Sequence, residues 1–221
     1  MRRKICHMSI DDVTISFQNL SKSEYSSIFE VNLFRLLLSL HRLLGLKITL
    51  YVYAQNNGWA LADIHEKYKH EFEEASDWLK LGFHAVSEKQ HQNNILNEFE
   101  DQFLQTRQQI IHFAGSKSLT KIIRLHYWFY PQIYLDVLSK EGVCAILTKE
   151  GQNIKTSLDI WETNIRIENC SIVTIVKKIV SHSSKQPLVV FTHEQALNKR
   201  TKLKMLIVIL LAWLKRYKFV C

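Results

Sequence analysis

Seven side chains able to transfer protons or bind metal ions lie at the ends of short apolar segments. They are Asp11 and Asp12 after ICHMSI, His84 and Glu88 after LKLGF, Arg124 and His126 in KIIRLHYW, and His193 in PLVVFTHE. Imidazole and carboxylate groups are ligands for zinc and several other divalent metals. The same groups serve as general acids and bases. The set predicts metal-assisted acid–base chemistry if the fold brings the segments together.

The adjacent pair Asp11 and Asp12 raises an electrostatic problem. Neighbouring carboxylates repel each other, which opposes the ionisation of both. A bound divalent cation removes the conflict, because one aspartate can ligate the metal while the other accepts a proton from water. The alternative is structural, since aspartates after a strand often form a turn or cap a helix.

The other segments also have structural alternatives. His84 after an apolar segment can be a hydrogen-bonded core histidine, and FTHE can begin a helix that Thr192 caps. Arg124 is harder to explain in this way, because an isolated buried charge is costly and should have an anionic partner. The joint occurrence of these groups at successive segment ends favours one common site.

Short apolar segments alternate with longer helical segments along the chain. The predicted strands are ICHMSI, LKITLYVYA, LKLGFHA, KIIRLHYW, VCAILT and PLVVFTHE. The predicted helices are 27–45, 68–78, 92–115, 131–142, 171–182 and 196–217. This alternation favours an α/β fold with a mostly parallel sheet, either open or closed into a barrel. In such folds the functional residues lie at the C-terminal ends of the strands.

The 221 residues suit one domain, 1–221, and 47% of them are apolar, which is enough for a full core. None of the four cysteines forms a CxxC pair, so a structural zinc knuckle is not expected. MRRK is not followed by an apolar stretch of signal-peptide length, which predicts a cytoplasmic protein. MLIVILLAWL is apolar for ten residues, whereas about 20 are needed to span a bilayer. It is expected to be a core helix, or a helix lying in an interface, and no membrane span is predicted.

The net charge of +8 is concentrated near the C-terminus, in NKRTKLK and LKRYK. Such an excess permits an acidic partner, such as nucleic acid or an anionic membrane surface. A solvated face of the last helix, at about 196–217, explains the same charges. No RNA-binding aromatic motif accompanies them, so no nucleic-acid partner is expected.

At these residues the sequence resembles the polysaccharide deacetylase family, which are metal-dependent carbohydrate esterases with a distorted (β/α) barrel. The resemblance covers roughly residues 5–196. The family's first motif ends in two aspartates, as in SIDD here, which implies that Asp11 is the catalytic base and Asp12 a metal ligand. Its second motif has two ligand histidines four residues apart. HAVSE supplies His84 but has Glu88 at the second position.

The family's third motif is Arg-x-Pro-Tyr, and RLHY keeps Arg124 and Tyr127 but has His126 in place of proline. The resemblance implies that Arg124 orients and charge-pairs with the catalytic base. His126 could replace the missing ligand. The last motif is a strand-end Leu-x-His whose histidine is the general acid. VFTHE supplies His193, with Phe191 in place of leucine.

The family also has an aspartate that tunes the catalytic histidine, for which Asp159 in LDIW is a candidate. The resemblance implies a hydrolase that removes an acetyl or other acyl group from an N-acylated sugar or related amide. The expected cofactor is a divalent metal ion, in the first place zinc, and the expected substrate a small molecule or an oligosaccharide. Tyr127 and Trp128 lie where a sugar ring could stack, although packing explains them equally well.

Two alternatives stay open. The departures at Glu88 and His126 suit a catalytically inactive barrel homologue that binds a glycan or a metal. The C-terminal basic cluster suits a polyanion-binding protein, whose binding would weaken steeply with salt.

Overall fold

The chain forms a mostly parallel sheet that nearly closes into a barrel, with helices around it. The computed structural model describes residues 4–22, 25–88, 98–183 and 185–221. The strands are β1 Ile5–Val13, β2 Ile48–Tyr53, β3 Gln55–Asn56, β4 Trp59–Ala60, β5 Leu79–Ala85, β6 Ile122–Ile123, β7 Ala145–Thr148, β8 Asp159–Arg166, β9 Leu188–His193 and β10 Lys218–Val220. The helices are α1 Ile15–Ser21, α2 Asn32–Leu44, α3 Lys69–Glu74, α4 Phe99–Ala114, α5 Gln132–Lys140, α6 Ile172–Ser181 and α7 Lys199–Leu214.

The strand order around the barrel is β5-β2-β1-β9-β8-β7-β6, and every neighbouring pair in it is parallel. β10 adds a parallel partner to the first half of β1, and β3 and β4 form a separate antiparallel pair. The barrel has one seam, between β5 and β6, where the Thr120 amide donates to the Leu81 carbonyl oxygen at 2.9 Å. The distorted (β/α) barrel that the sequence resemblance implied is confirmed.

Strand and helix formation follow from the apolar pattern. All six residues of β2 are buried, as expected for a parallel strand covered on both faces. The helix α2 buries Leu33, Phe34, Leu37 and Leu40, which lie on one helical stripe. It ends at Gly45, which has φ 66° and donates its amide to the His41 carbonyl oxygen at 2.8 Å. Glycine at a left-handed C-cap avoids the strain that a side chain would bring.

Several element boundaries differ from the sequence-based expectations. The strand predicted over 121–128 is only Ile122–Ile123, and His126–Trp128 forms a short 3₁₀ turn instead. The last helix is shorter than 196–217, because Arg216 adopts a left-handed backbone with φ 61° and the chain turns into β10. The start of the helix predicted over 92–115 lies partly outside the described residues.

The strands β8 and β10 were not predicted. β8, DIWETNIR, leaves most of its residues exposed or half-buried, so it has no strong apolar alternation. β10 has only three residues. Within the described residues, no helix combines the length and apolarity that crossing a bilayer requires.

The barrel interior contains a fully buried histidine, His7. Its ring centroid lies 6.5 Å from that of Tyr51 and 6.0 Å from that of Trp161. Burial, assisted by the positive charge of Arg124, lowers the pKa of His7 to about 3. The ring is therefore neutral in the folded protein at neutral pH.

We expect His7 to make the protein acid-labile. The unfolded chain takes up this proton near pH 6.5, whereas the folded chain does so only near pH 3. This contribution to the free energy of unfolding is therefore fully present above pH 6.5 and falls by about 1.4 kcal/mol per pH unit below it. Urea denaturation between pH 7 and pH 4 measures the slope, and His7→Gln should flatten it. An equal slope in that variant would refute the assignment.

Candidate active site

A backbone irregularity at the end of β1 turns both aspartates of the sequence toward one cavity. Successive side chains of a regular strand point to opposite faces, so Asp11 and Asp12 should diverge. The pairing of β1 with β2 shifts register between Ile10 and Val13, and Asp12 has φ 56°. A bulge of this kind re-aims a side chain, and aspartate tolerates the left-handed conformation better than most residues.

The cavity has a volume of about 330 Å³ and lies at the C-terminal ends of the strands. Nine of the ten site residues that were predicted from the sequence line it, and the tenth, Asp159, does not: the nine are Asp11, Asp12, His84, Glu88, Arg124, His126, Tyr127, Trp128 and His193. The lining residues that the sequence analysis did not assign are Leu125, Arg166, Glu168, Phe191, Gln195 and Ala196. The fold thus brings together groups that lie up to 182 positions apart in the sequence.

Arg124 and Asp11 form a buried ion pair at the floor of the cavity. Arg124 is 1% exposed, and its Nε lies 3.3 Å from Asp11 Oδ2. The Ser9 hydroxyl donates to Asp11 Oδ1 at 3.1 Å. The guanidinium carbon of Arg124 lies 4.0 Å from the ring centroid of Phe191. Asp11 is therefore the anionic partner that the buried arginine requires.

Asp12, His84 and His126 form a compact group of potential metal ligands. One ligand atom from each residue lies within 4.8 Å of the other two. His84 Nε2 is 3.2 Å from Asp12 Oδ1 and 3.1 Å from His126 Nδ1. The chemistry of this set, one carboxylate and two imidazoles, is typical of zinc and related divalent metals.

The tautomer of His84 is set by the backbone. Its Nδ1 lies 2.7 Å from the carbonyl oxygen of Arg124, which can only accept a hydrogen bond, so Nδ1 carries the proton. In the neutral ring the lone pair is then on Nε2, which faces the Asp12 carboxylate. Two acceptors 3.2 Å apart require a proton or a cation between them. Metal-bound histidines are commonly oriented in the same way, by a hydrogen bond from the nitrogen that does not bind the metal to a backbone carbonyl oxygen.

The His126 ring is suited to metal binding by its protonation state and its position. Burial and the charge of His84 lower the pKa of His126 to about 4, so the ring is neutral at pH 7. A neutral ring keeps one free lone pair, as a metal ligand must. Its Nδ1 lies 3.1 Å from His84 Nε2 and 3.8 Å from Asp12 Oδ1, so this nitrogen faces the other two potential ligands. The donor set of Asp12, His84 and His126 therefore fits a divalent metal ion.

Two further residues hold the Asp12 carboxylate. The Tyr53 hydroxyl donates to Asp12 Oδ1 at 2.6 Å, and Gln195 Nε2 donates to Asp12 Oδ2 at 3.1 Å. Burial alone would raise the pKa of Asp12, but its interactions with His84, Tyr53 and Gln195 outweigh burial and hold that pKa well below its usual range. Burial and the charge of Asp12 raise the pKa of Tyr53 far above its ordinary value, so its hydroxyl remains a donor.

Glu88 is exposed and lines the same cavity, but it is not one of the three clustered residues. Of the two residues between which the sequence left the third ligand open, His126 lies in the group with Asp12 and His84, whereas Glu88 does not. A ligand role for either residue stays a prediction.

His193 and Glu168 form a separate acid–base pair facing the cavity. His193 Nδ1 lies 2.5 Å from Glu168 Oε1, and Arg166 Nε donates to the same oxygen at 2.7 Å. Burial opposes protonation of His193, but the Glu168 hydrogen bond and the charges of Asp11 and Asp12 raise its pKa. Burial likewise opposes ionisation of Glu168, yet hydrogen bonds from His193 and Arg166 lower its pKa to about 2.

Glu168 replaces the residue that the sequence suggested for tuning His193. Asp159, the candidate in LDIW, is the first residue of β8 and is exposed, whereas the cavity lies at the other end of that strand. Arg166 ends β8, and Glu168 follows two residues later. Because the sequence predicted no strand over β8, it indicated no strand end next to Glu168. The signal was the Arg-x-Glu of IRIENC, a charge pair that follows directly on a strand.

Glu194, next to His193, has a structural role. Its Oε2 accepts hydrogen bonds from the amides of Thr14 and Ile15 at 2.8 and 2.7 Å. Its Oε1 accepts from the amide and the hydroxyl of Ser16 at 2.9 and 2.5 Å. The carboxylate therefore caps the N-terminus of α1, which directly follows the aspartate pair.

Replacing Glu194 with alanine should lower the free energy of unfolding by about 2–4 kcal/mol, because four hydrogen bonds at a helix N-terminus lose their acceptor. Urea denaturation measures the change. Glu150→Ala, at an exposed loop position, is the matched control and should change stability by less than about 0.5 kcal/mol. Equal stabilities of the two variants would refute the capping role.

No protein family model matches the chain, and no curated protein sequence matches it. Solved structures do match. A family 4 carbohydrate esterase from Streptomyces lividans, in complex with acetate, is 16% identical, with 100% of this chain and 94% of that chain covered and a TM-score of 0.61. A peptidoglycan N-acetylglucosamine deacetylase is 15% identical, with 100% and 87% covered and a TM-score of 0.61.

A pseudoenzyme of the same esterase family, from Bacillus anthracis, is also similar. It is 11% identical, with 98% of this chain and 63% of that chain covered and a TM-score of 0.55. Active and inactive proteins therefore share this architecture, and these low identities establish the fold alone. The chain has the (β/α) barrel fold of the family 4 carbohydrate esterases and polysaccharide deacetylases.

Proposed function

We propose that this protein is a metal-dependent hydrolase that removes an acyl group from an N-acylated sugar or a related amide. The observation that carries the proposal is the pairing of two separate sets in one cavity. One set, Asp12, His84 and His126, suits a metal ion, and the other, Asp11 and His193, suits proton transfer. A similar barrel in a peptidoglycan N-acetylglucosamine deacetylase supports the choice of an amide substrate.

Asp12, His84 and His126 would hold the metal ion, and zinc is the ion that we propose for this donor set. A bound divalent ion would supply Lewis-acid polarisation of the acyl carbonyl and of water. The hydrogen bonds of Tyr53 and Gln195 keep the Asp12 carboxylate oriented. Holding a ligand in this way typically contributes about 10–100-fold in metal affinity or activity.

Asp11 accepts the proton of the water that attacks the acyl carbon. Its carboxylate is fixed on both oxygens, by Arg124 at 3.3 Å and by the Ser9 hydroxyl at 3.1 Å. Burial of this pair keeps competing solvent away and strengthens the electrostatic interaction. Arg124 is thus a positioning residue, which acts through Asp11.

His193 donates a proton to the departing nitrogen while the carbon–nitrogen bond breaks. Its Nδ1 is occupied by Glu168, and its Nε2, 3.8 Å from Asp12 Oδ2, faces the cavity. The raised pKa of His193 keeps a larger fraction of the ring protonated near neutral pH, as a proton donor requires. Acid–base assistance of this type contributes roughly 10²–10⁴-fold.

Tyr127 and Trp128 would contact the sugar. Both line the cavity, and both adopt a left-handed backbone, with φ 57° and 53°. Non-glycine residues in this conformation are uncommon and cluster at functional sites. Tyr127 is 58% exposed, so its ring is free to stack on a substrate.

The first experiment is elemental analysis of the purified protein. We expect close to one divalent metal ion per chain in the parent and a strong loss in His84→Ala, because His84 supplies an unprotonated nitrogen to the ligand group. His70→Ala is the matched control, since the side chain of His70 is 81% exposed. Absence of metal in the parent after incubation with excess zinc would contradict the proposal.

A non-catalytic barrel is the second candidate, favoured by Glu88 at the position of a ligand histidine and by the similar pseudoenzyme. This candidate predicts that the protein binds metal stoichiometrically but releases no acetate from N-acetylated oligosaccharides. Measurement of metal content and acetate release on one preparation separates the two candidates.

A further inference from the structure

The outer side of α7 is an apolar surface exposed to solvent. Between Leu203 and Leu214 the helix has one polar residue, Lys204, and its side chain is buried. The exposed side chains are Leu203, Leu206, Leu210, Trp213 and Leu214, here called the α7 face. Their spacing of three and four residues places them on one side of the helix. A helix that is apolar on all sides is normally buried on all sides, which α7 is not.

The helices beside α7 also carry exposed apolar side chains. α6 packs against α7 and exposes Val173 and Val180, at 63% and 58%. α2 also contacts α7, and its Leu43 is 78% exposed. Single exposed apolar residues are ordinary, but a cluster on adjacent helices marks an interaction site.

The same three helices carry only positive charge. α2, α6 and α7 together contain eight Lys and Arg residues and no Asp or Glu. The net charge of the whole chain is also +8. Lys199, Arg200 and Lys202 are exposed at the start of α7, and Arg216 and Lys218 are exposed after its end. The α7 face is therefore bounded at both ends by exposed basic side chains.

Other basic residues of this region are used internally. Lys204 Nζ donates to the carbonyl oxygens of Ile167 and Glu168, both at 3.2 Å. Lys215 Nζ donates to the Val180 carbonyl oxygen at 2.7 Å, near the end of α6. Their charges hold loops of the barrel, so they do not interrupt the apolar face.

We propose that the α7 face binds the surface of a bilayer that contains anionic lipids. A helix with leucine and tryptophan on one side and flanking lysine and arginine inserts its apolar side by about 5–10 Å at the headgroup boundary. Tryptophan is enriched at that depth. Each basic side chain near an anionic surface adds about fivefold in affinity. No residue of α7 lines the catalytic cavity.

Charge argues against a second copy of this chain as the occupant. A symmetric dimer places the same patch of each subunit against the other. The basic residues at the ends of the α7 face would then approach those of the partner, with no acidic side chain on α2, α6 or α7 to compensate. An anionic surface has the complementary charge.

Vesicle sedimentation tests the proposal, using vesicles of phosphatidylcholine alone and of phosphatidylcholine mixed with phosphatidylglycerol. We expect binding to the mixed vesicles, weakened by salt. A Leu210→Glu, Trp213→Glu variant should bind at least about tenfold more weakly, because it places charge in the apolar contact. Ile133→Glu is the matched control, because Ile133 is an exposed apolar residue on α5. This variant should bind like the parent. Circular dichroism and thermal unfolding verify that each variant is folded.

Three results would overturn the proposal. The first is that the parent binds neither type of vesicle. The second is light scattering that shows a dimer, which Leu210→Glu, Trp213→Glu converts to a monomer, since a second copy would then cover the face. The third is that the variant binds the mixed vesicles as tightly as the parent does, and that both also bind heparin equally. Charge alone would then explain the binding. None of these results depends on metal content or hydrolysis, so the inference and the proposed function fail separately.

Discussion

An Asp11→Asn variant is expected to retain its metal and lose deacylation, with turnover reduced by at least about 10²–10⁴-fold. An amide cannot accept the proton of the attacking water. Asp11 is not one of the clustered residues Asp12, His84 and His126, so metal content should not change. Metal analysis and acetate release, measured on one preparation, provide the two readouts.

Loss of the ion pair complicates this test, because Arg124 is left buried without its anionic partner. Such a loss typically destabilises a protein by about 3–5 kcal/mol. Thermal unfolding must therefore show that the variant is folded at the assay temperature. Ser9→Ala is the matched control, since it removes one hydrogen bond from Asp11 but keeps the carboxylate. Turnover by a folded Asp11→Asn variant close to that of Ser9→Ala would eliminate Asp11 as the base.

Much of the site was predictable because parallel strands end at a common edge. The sequence placed polar groups after apolar segments, and the barrel topology brings the ends of β1, β5 and β9 to one cavity. Local pattern was sufficient for this, since each segment carries its own apolar signal. The burial of Arg124 likewise predicted an anionic partner, which is Asp11.

The unpredicted part of the site depends on features without a local signal. Asp12, Tyr127 and Trp128 reach the cavity through left-handed backbone conformations, which a side-chain pattern does not encode. Tyr53 ends β2 in an apolar segment, and only the folded structure shows its hydroxyl against Asp12. Glu168 was missed because β8 lacks apolar alternation.

The last helix confirms one of the two predictions for an ambiguous segment, because its inner side is buried in the core. MLIVILLAWL was expected to be a core helix or a helix in an interface. Met205, Val208, Ile209 and Ala212 are buried in the core, whereas Leu206, Leu210 and Trp213 are exposed. Composition alone could not separate the two sides, because both are apolar.

His126→Ala is expected to lose the metal, whereas Glu88→Gln is expected to keep it. His126 lies with Asp12 and His84 in the ligand group, and its Nδ1 is 3.1 Å from His84 Nε2. Glu88 is exposed at the cavity and outside that group. Zinc affinity, measured by competition with a chelator, should fall by more than about 100-fold in His126→Ala. That exceeds the loss typical of a residue that merely supports a ligand.

Tyr53→Phe calibrates this comparison. It removes the hydroxyl that holds Asp12 but no proposed ligand, so its affinity loss should be about 10–100-fold and smaller than that of His126→Ala. The opposite ranking, with metal lost in Glu88→Gln and kept in His126→Ala, would place the third ligand four residues after His84. The expected ranking would instead identify His126, which follows β6, as the third ligand.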